Sequence, residues 1–207
     1  MSAQNLKPLF GHDDVKLLKQ EVLHKGFIHV ESYTIQNKLF KGEWTKPYVR
    51  ELVIKHRAGV VIPYDPIRDE VVLIEQFRAG ALCQSKSPWL IELVAGIADK
   101  EDEPMENLIR RELHEEAGLE GIEITHIFDY LSSPGGSTEE ISLFYAKVDS
   151  TKAPKFSGLA DENEDIRVHV VSSNTAFSAI KNGIIHNASA IIALQWLELN
   201  IDKIRQK

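Results

Sequence analysis

The spacing of apolar positions switches from about two to about 3.6 near Pro104, and back again after Gly118. Ahead of that switch, residues 26–35 carry the β-branched and aromatic content of a strand, and 48–55 read as a second. Residues 59–64 form an apolar run suited to a buried strand. The Asp-Pro-Ile-Arg-Asp sequence at 65–69 then predicts a turn, and 70–76 return as a strand, giving a hairpin. The helical period runs from Pro104 to Ala117 and stops at Gly118. Strands are predicted at 125–130, 142–148 and 167–171. Helices follow at 174–181 and 189–204, with Gly183 free to take the left-handed conformation between them. This order predicts an α+β fold, an α/β/α sandwich with a mixed sheet between helices. A small antiparallel β module is expected ahead of it, over residues 1–55, with the larger domain spanning 56–207. The chain has no internal repeat and no low-complexity tract.

The central helix carries the chemistry. Met105, Leu108, Ile109 and Leu113 form its apolar stripe at about 100° per residue. Glu112 and Glu116 fall within that stripe, and Glu115 stands at its edge. A solvated acidic face would place glutamates on the opposite side, where Asn107, Arg110 and His114 project. Three carboxylates at i, i+3 and i+4 also repel one another by roughly a few tenths of a kcal/mol per pair. Two of them turned toward the protein would cost far more unless a cation answered them. Oxygen ligands without Cys or paired His favour Mg²⁺ or Mn²⁺ over Zn²⁺. The eight histidines show no ligand spacing.

Composition narrows the partners. The net charge is -7 and no basic stripe stands out, which argues against binding nucleic acid through its backbone. A small anionic substrate remains compatible, because metal ions and a few arginines supply local positive charge. The single cysteine, Cys83, rules out an intrachain disulfide and suits a reducing compartment. It is expected as an inert, partly buried thiol. The N-terminal residues lack a signal-peptide layout, and no apolar run approaches the ~20 residues that span a bilayer. A cytoplasmic protein without membrane attachment is expected.

The helix and the loop before it resemble the Nudix box. Glu103, Arg111, Glu112, Leu113, Glu115, Glu116, Gly118 and Leu119 fit that pattern at the correct spacing. Gly96 stands one residue too far upstream, so an extra residue is expected as a small bulge in the loop. Pro134, sixteen residues beyond Gly118, resembles the ADP-ribose pyrophosphatase branch of the family. Residues 158–170, 69–76 and 192–197 resemble the bacterial members of that branch.

The resemblance implies a Nudix fold and Mg²⁺-dependent hydrolysis of ADP-ribose to AMP and ribose 5-phosphate, with Mn²⁺ as a substitute. Another ADP-sugar or GDP-sugar is the alternative substrate. Glu112, Glu116, Glu164 and the carbonyl of Ala95 are implied as metal ligands, with Glu115 as a direct or water-mediated partner. Arg111 and Glu103 are expected to orient them. Glu162 is the implied general base for a metal-activated water, with Glu139 in reserve as base or substrate contact. Arg78 is the expected phosphate clamp. Phe27, and Ile28 beside it, would meet the adenine, with Arg50, Glu51 and Lys55 near base and phosphates. Ile97, Ser133, Pro134 and Gly135 would line the terminal-ribose end. The family further implies a homodimer with exchanged N-terminal modules.

Overall fold

A computed structural model describes residues 6–83, 87–100 and 102–206. The chain divides into two compact units, Met1–Lys55 with Ser133–Glu139, and His56–Ser132 with Glu140–Lys207.

The first unit is a three-stranded antiparallel sheet, β1 (Val15–Lys25), β2 (His29–Asn37) and β3 (Tyr48–Ile54). Segment 133–139 lies along the free edge of β3, where Val53 N–H donates to the Gly136 carbonyl and Thr138 N–H to the Val53 carbonyl. The sequence expectation of a strand over 26–35 needs correction at its start. Gly26, Phe27 and Ile28 form the bend between β1 and β2, and the strand begins at His29. β1 itself escapes the alternation rule. Every one of its residues is exposed, four of its five large apolar residues fall in adjacent pairs (Leu17–Leu18, Val22–Leu23), and the register shifts twice along it.

Among its described residues the second unit contains eight strands: β4 (Ala58–Asp65), β5 (Glu70–Phe77), β6 (Trp89–Glu92), β7 (Val94–Ile97), β8 (Glu123–Leu131), β9 (Glu140–Lys147), β10 (Phe156–Ser157) and β11 (Ile166–Ser172). The helices are α1 (Met105–Ala117), α2 (Ser173–Lys181) and α3 (Ala188–Arg205). The sheet order is β10-β11-β5-β4-β9-β8, with β6 on β5 and β7 on β4. β4 and β9 run parallel and the other pairs antiparallel, so the sheet is mixed as expected.

Alternation decides which helix each strand residue meets. Val60, Ile62, Tyr64, Val71, Leu73, Leu143 and Tyr145 pack with α2 and α3. Val61, Val72, Ile74, Val94, Phe144 and Ala146 pack with Ile109, Leu113 and Ala117 of α1. The predicted α/β/α sandwich is borne out. β4 and β5 pair only through Tyr64↔Val71 and Asp65↔Glu70 before they separate. β7 takes the freed edge of β4 and β6 that of β5, with Leu93 as the single residue between them. Among the described residues no helix is long and apolar enough to cross a membrane. Cys83 is exposed, which corrects the expectation of a partly buried thiol. It lies in the turn that follows β5, outside the core.

Candidate active site

α1 begins directly after Pro104, whose φ of -59° suits a helix entry. It ends at Gly118, left-handed at φ 62°, with Gly118 N–H on the His114 carbonyl and Leu119 N–H on that of Leu113. The first of these bonds is the one that defines the αL type of helix end. Its buried residues are Leu108, Ile109, Leu113 and Ala117, together with Glu112 and Glu116. Glu112 is 9% exposed and Glu116 2%. Two carboxylates thus stand where the apolar stripe leads them, inside the fold.

Glu116 lies against the fork between β4 and β5. The Ala95 N–H of β7 donates to its Oε2 at 2.9 Å, and Gln76 Nε2 of β5 stands 3.5 Å from Oε1. Glu112 runs beside Gly96. A Cβ at Gly96 would sit 2.2 Å from Glu112 Oε1 and 2.4 Å from its Cγ, so only glycine leaves room for this side chain. Arg111 binds the outer carboxylates. Its Nη1 lies 2.9 Å from Glu112 and 3.0 Å from Glu115, and its Nη2 3.5 Å from Glu103. Arg111 and Glu103 thus stand beside the glutamates. β7 keeps unbroken register with β4, so the backbone at Ala95 and Gly96 is regular strand. The irregularity falls in the loop ahead of α1, where Asp102 is left-handed at φ 59°.

The electrostatics follow from this packing. Burial pushes the Glu116 carboxyl up to about 8, with the charges of Glu112 and Glu164 adding to the effect. Burial likewise raises Glu112 to about 7, against Arg111 and reinforced by Glu115, Glu164 and Glu162. Both groups favour a proton, or a cation, over an unanswered negative charge.

Segment 158–165 brings the second acidic group to the same place. Ser157 Oγ and Gly158 N–H both donate to the Glu115 carbonyl, at 2.8 and 3.1 Å, which ties the segment to α1. Gly158 is left-handed at φ 100°, and an added Cβ would meet the Glu164 carbonyl oxygen at 2.8 Å. A single 3₁₀ turn, Ala160–Glu162, then leads to Asn163, left-handed at φ 58°. Glu164 is half-buried and Glu162 exposed. Both lie close enough for their charge to act on Glu112.

Among the described residues no three carboxylates, imidazoles or thiols are gathered as they would be around an ion. Glu112 leans instead to Arg111, and Glu116 to the Ala95 amide. The donor set nevertheless fits a hard divalent cation: it offers only oxygen, and its buried carboxyls are pushed toward neutrality when no cation answers them.

Arg78 follows β5 directly and donates through Nε to Glu92 at 2.8 Å; its charge is felt at Glu116. Ile97 ends β7 and is half exposed. The remaining predicted contacts belong to the first unit. Phe27 is fully exposed at the β1–β2 bend with Ile28 beside it. Arg50 and Glu51 sit on β3, Arg50 over the Tyr48 ring at 4.7 Å. Lys55 N–H donates to Thr138 Oγ1. Ser133, Pro134 and Gly135 enter a turn closed by the Ser133 carbonyl, and Glu139 N–H donates to Ser137 Oγ. Sequence reasoning missed Gln76, Glu92 and the steric role of Gly96. The signal for Gln76 was available: it continues the Val72, Ile74 alternation onto the α1 face as a polar residue, 5% exposed.

A NUDIX domain model matches residues 55–190. The chain belongs to the Nudix family. Its resemblance to the bacterial ADP-ribose pyrophosphatases extends over its full length. It is 43% identical to the ADP-ribose pyrophosphatase of Escherichia coli (strain K12) over 207 residues, 100% of this chain and 99% of that one. It is 42% identical to the Haemophilus influenzae ADP-ribose pyrophosphatase over 200 residues, 95% of this chain and 92% of that one. A GDP-mannose pyrophosphatase from Cronobacter sakazakii is more distant, at 32% identity over 188 residues, 90% of this chain and 96% of that one. Among solved structures, an ADP compounds hydrolase shares the fold with a TM-score of 0.68 at 19% identity, over 89% of this chain and 95% of that one. This Nudix chain is accordingly a hydrolase with the fold that its strand and helix order predicts.

Proposed function

We propose that this Nudix hydrolase cleaves the diphosphate bond of ADP-ribose, giving AMP and ribose 5-phosphate. The observation that carries this reading is end-to-end similarity to ADP-ribose pyrophosphatases at 43% identity, in a chain that keeps both buried glutamates. Glu112, Glu116, Glu164 and the Ala95 carbonyl would hold Mg²⁺, with Mn²⁺ as a substitute and Glu115 as a direct or water-mediated partner. Such a metal supplies Lewis-acid polarisation and neutralises charge growing on the phosphates. Glu162 takes the proton from the attacking water; its place on a short exposed turn lets it approach bound substrate. Arg78 draws the diphosphate through its planar fork once it exchanges Glu92 for phosphate oxygens.

Phe27, Ile28, Arg50, Glu51 and Lys55 serve the adenine end, and Ile97, Ser133, Pro134, Gly135 and Glu139 the terminal-ribose end. Full exposure of Phe27 favours a ligand-facing role over a core one. Residues 1–55 would act as the dimer-forming module and 56–207 as the hydrolase domain of a cytoplasmic homodimer with exchanged N-terminal modules. The apolar residues exposed along β1 suit burial against a second copy.

The test is a substrate panel with Mg²⁺ on the native enzyme, Glu112→Gln and Glu162→Gln. ADP-ribose should give AMP with the highest kcat/KM, and Glu162→Gln should bind substrate while losing most of its kcat. No AMP above the Glu112→Gln background would sink the proposal. Preference for GDP-mannose would instead support the second reading, which the Cronobacter relative favours. Near-normal turnover by Glu162→Gln would move the base to Glu139.

A further inference from the structure

The larger unit has a cavity of about 450 Å³ on the face of the sheet opposite α1. It opens where the last turns of α3 pass over the paired ends of β8 and β9, with Glu123 opposite Lys147 and Thr125 opposite Tyr145. No residue assigned above to the diphosphate chemistry lines it. Its size falls within the range of small-molecule sites, roughly 300–1,000 Å³.

Its lining is chemically specific. Tyr145 is 7% exposed, yet its hydroxyl has no hydrogen-bond partner among the described residues. Burial also pushes that hydroxyl well above the usual tyrosine range, so it stays a donor. The hydroxyl therefore opens into the cavity rather than onto another side chain, free to bond a ligand there. Trp196 supplies an aromatic wall. Asn200 spends its amide N–H on the Trp196 carbonyl, which leaves its own side-chain oxygen as an acceptor. Lys147 and Lys203 make no ion pair with any described residue, although the chain as a whole carries a net charge of -7. Arg205, also at the rim, is already held by Asp69 and Tyr64.

We propose that this cavity binds a nucleoside monophosphate. The base lies against Trp196 with its polar edge toward Asn200, the phosphate answers Lys147 and Lys203, and a sugar hydroxyl meets the Tyr145 hydroxyl. An uncharged ring would leave both ammonium groups unanswered, and a bare anion would leave the aromatic wall and Tyr145 unmatched.

The test is ¹⁹F NMR of the full chain carrying 5-fluorotryptophan, titrated with AMP in EDTA, with Trp196→Phe assigning the resonance. Trp44 and Trp89 serve as internal references. AMP should shift the Trp196 signal saturably. Lys147→Gln with Lys203→Gln should weaken that response about tenfold or more, and Tyr145→Phe about threefold to tenfold. Adenosine and inorganic phosphate should each act at least about tenfold more weakly. Absence of a saturable Trp196 shift would overturn the proposal, as would equal binding of adenosine or phosphate, or unchanged affinity in the double lysine variant. None of these readouts depends on turnover, so the proposed hydrolysis stands or falls separately.

Discussion

Gly96→Ala tests whether the position of Glu112 matters for catalysis or only for packing. The added Cβ would meet Glu112 Oε1, Cδ and Cγ at 2.2, 2.3 and 2.4 Å, about 1 Å or more inside the 3.4 Å at which ordinary contact begins. Since β7 is held in register by β4, the glutamate must give way. Overpacking of this kind costs about 1–3 kcal/mol, and each kcal/mol lowers Tm by about 2–4 °C in a chain of this size. The loss of turnover should be far larger. A carboxylate swung out of place loses metal affinity as well as geometry, so kcat/KM should fall by about 100-fold or more. Gly59→Ala is the control. It presses on the same helix through Ile109 Cδ1 at 2.8 Å but reaches no carboxylate. Differential scanning fluorimetry and ADP-ribose kinetics across a Mg²⁺ series would read both variants. Comparable Tm losses with turnover lost only in Gly96→Ala is the expected pattern. Gly96→Ala retaining half of wild-type kcat/KM, or equal losses in both variants, would refute the reasoning.

Further outcomes follow from the same residues. In EDTA, stability should fall as pH rises from about 4.5 toward 8. Glu116 titrates near 4.5 when unfolded and about 8 when folded, so its contribution is complete below 4.5 and is lost as pH rises through the folded value. Urea unfolding at pH 5, 7 and 9 should show this slope, Glu116→Gln should flatten it, and Mg²⁺ should oppose it; a slope unchanged by Glu116→Gln would contradict the assignment. Arg111→Ala leaves Glu103, Glu112 and Glu115 without their shared cation and should destabilise by about 2–4 kcal/mol, read by urea midpoint. Arg111→Lys should recover less than half of that, because one ammonium cannot span three carboxylates. Gly118→Ala meets both a left-handed φ of 62° and Pro154 Cδ at 2.7 Å, so Tm should fall by several degrees with kcat little changed.

Much of the larger unit was legible because its sheet is covered on both faces. β4, β5 and β9 read as apolar runs with little interruption, and turn chemistry at Asp65 to Asp69 marked the hairpin. The inward glutamates were legible from the helical wheel alone. β6 and β7 were not, since four-residue strands separated by one residue carry no period of their own. β1 was hidden for the opposite reason: it is long but fully exposed, and alternation is a signature of one-sided burial. Missing β1 also displaced Phe27 from a bend into a strand. The roles of segment 158–165 came only from resemblance, because Gly158 and Asn163 shape it through left-handed backbone that no periodicity announces.

The fork between β4 and β5 has a consequence for how the two walls of the site respond to a bound ligand. Ala95 and Gly96 sit in a strand laddered to β4, while Leu93 links that ladder to the one on β5. Shifting them means breaking sheet hydrogen bonds on both tines. The Ala160–Glu162 turn lies outside every ladder and can rearrange without breaking one. In hydrogen-exchange terms, the Ala95 and Gly96 amides should open only with global unfolding, and those of 160–163 on a far shorter timescale. On the proposed metal site, tightness of metal binding would follow the rigid wall and the pace of product release the compliant one, so substitutions in either should alter one quantity without the other.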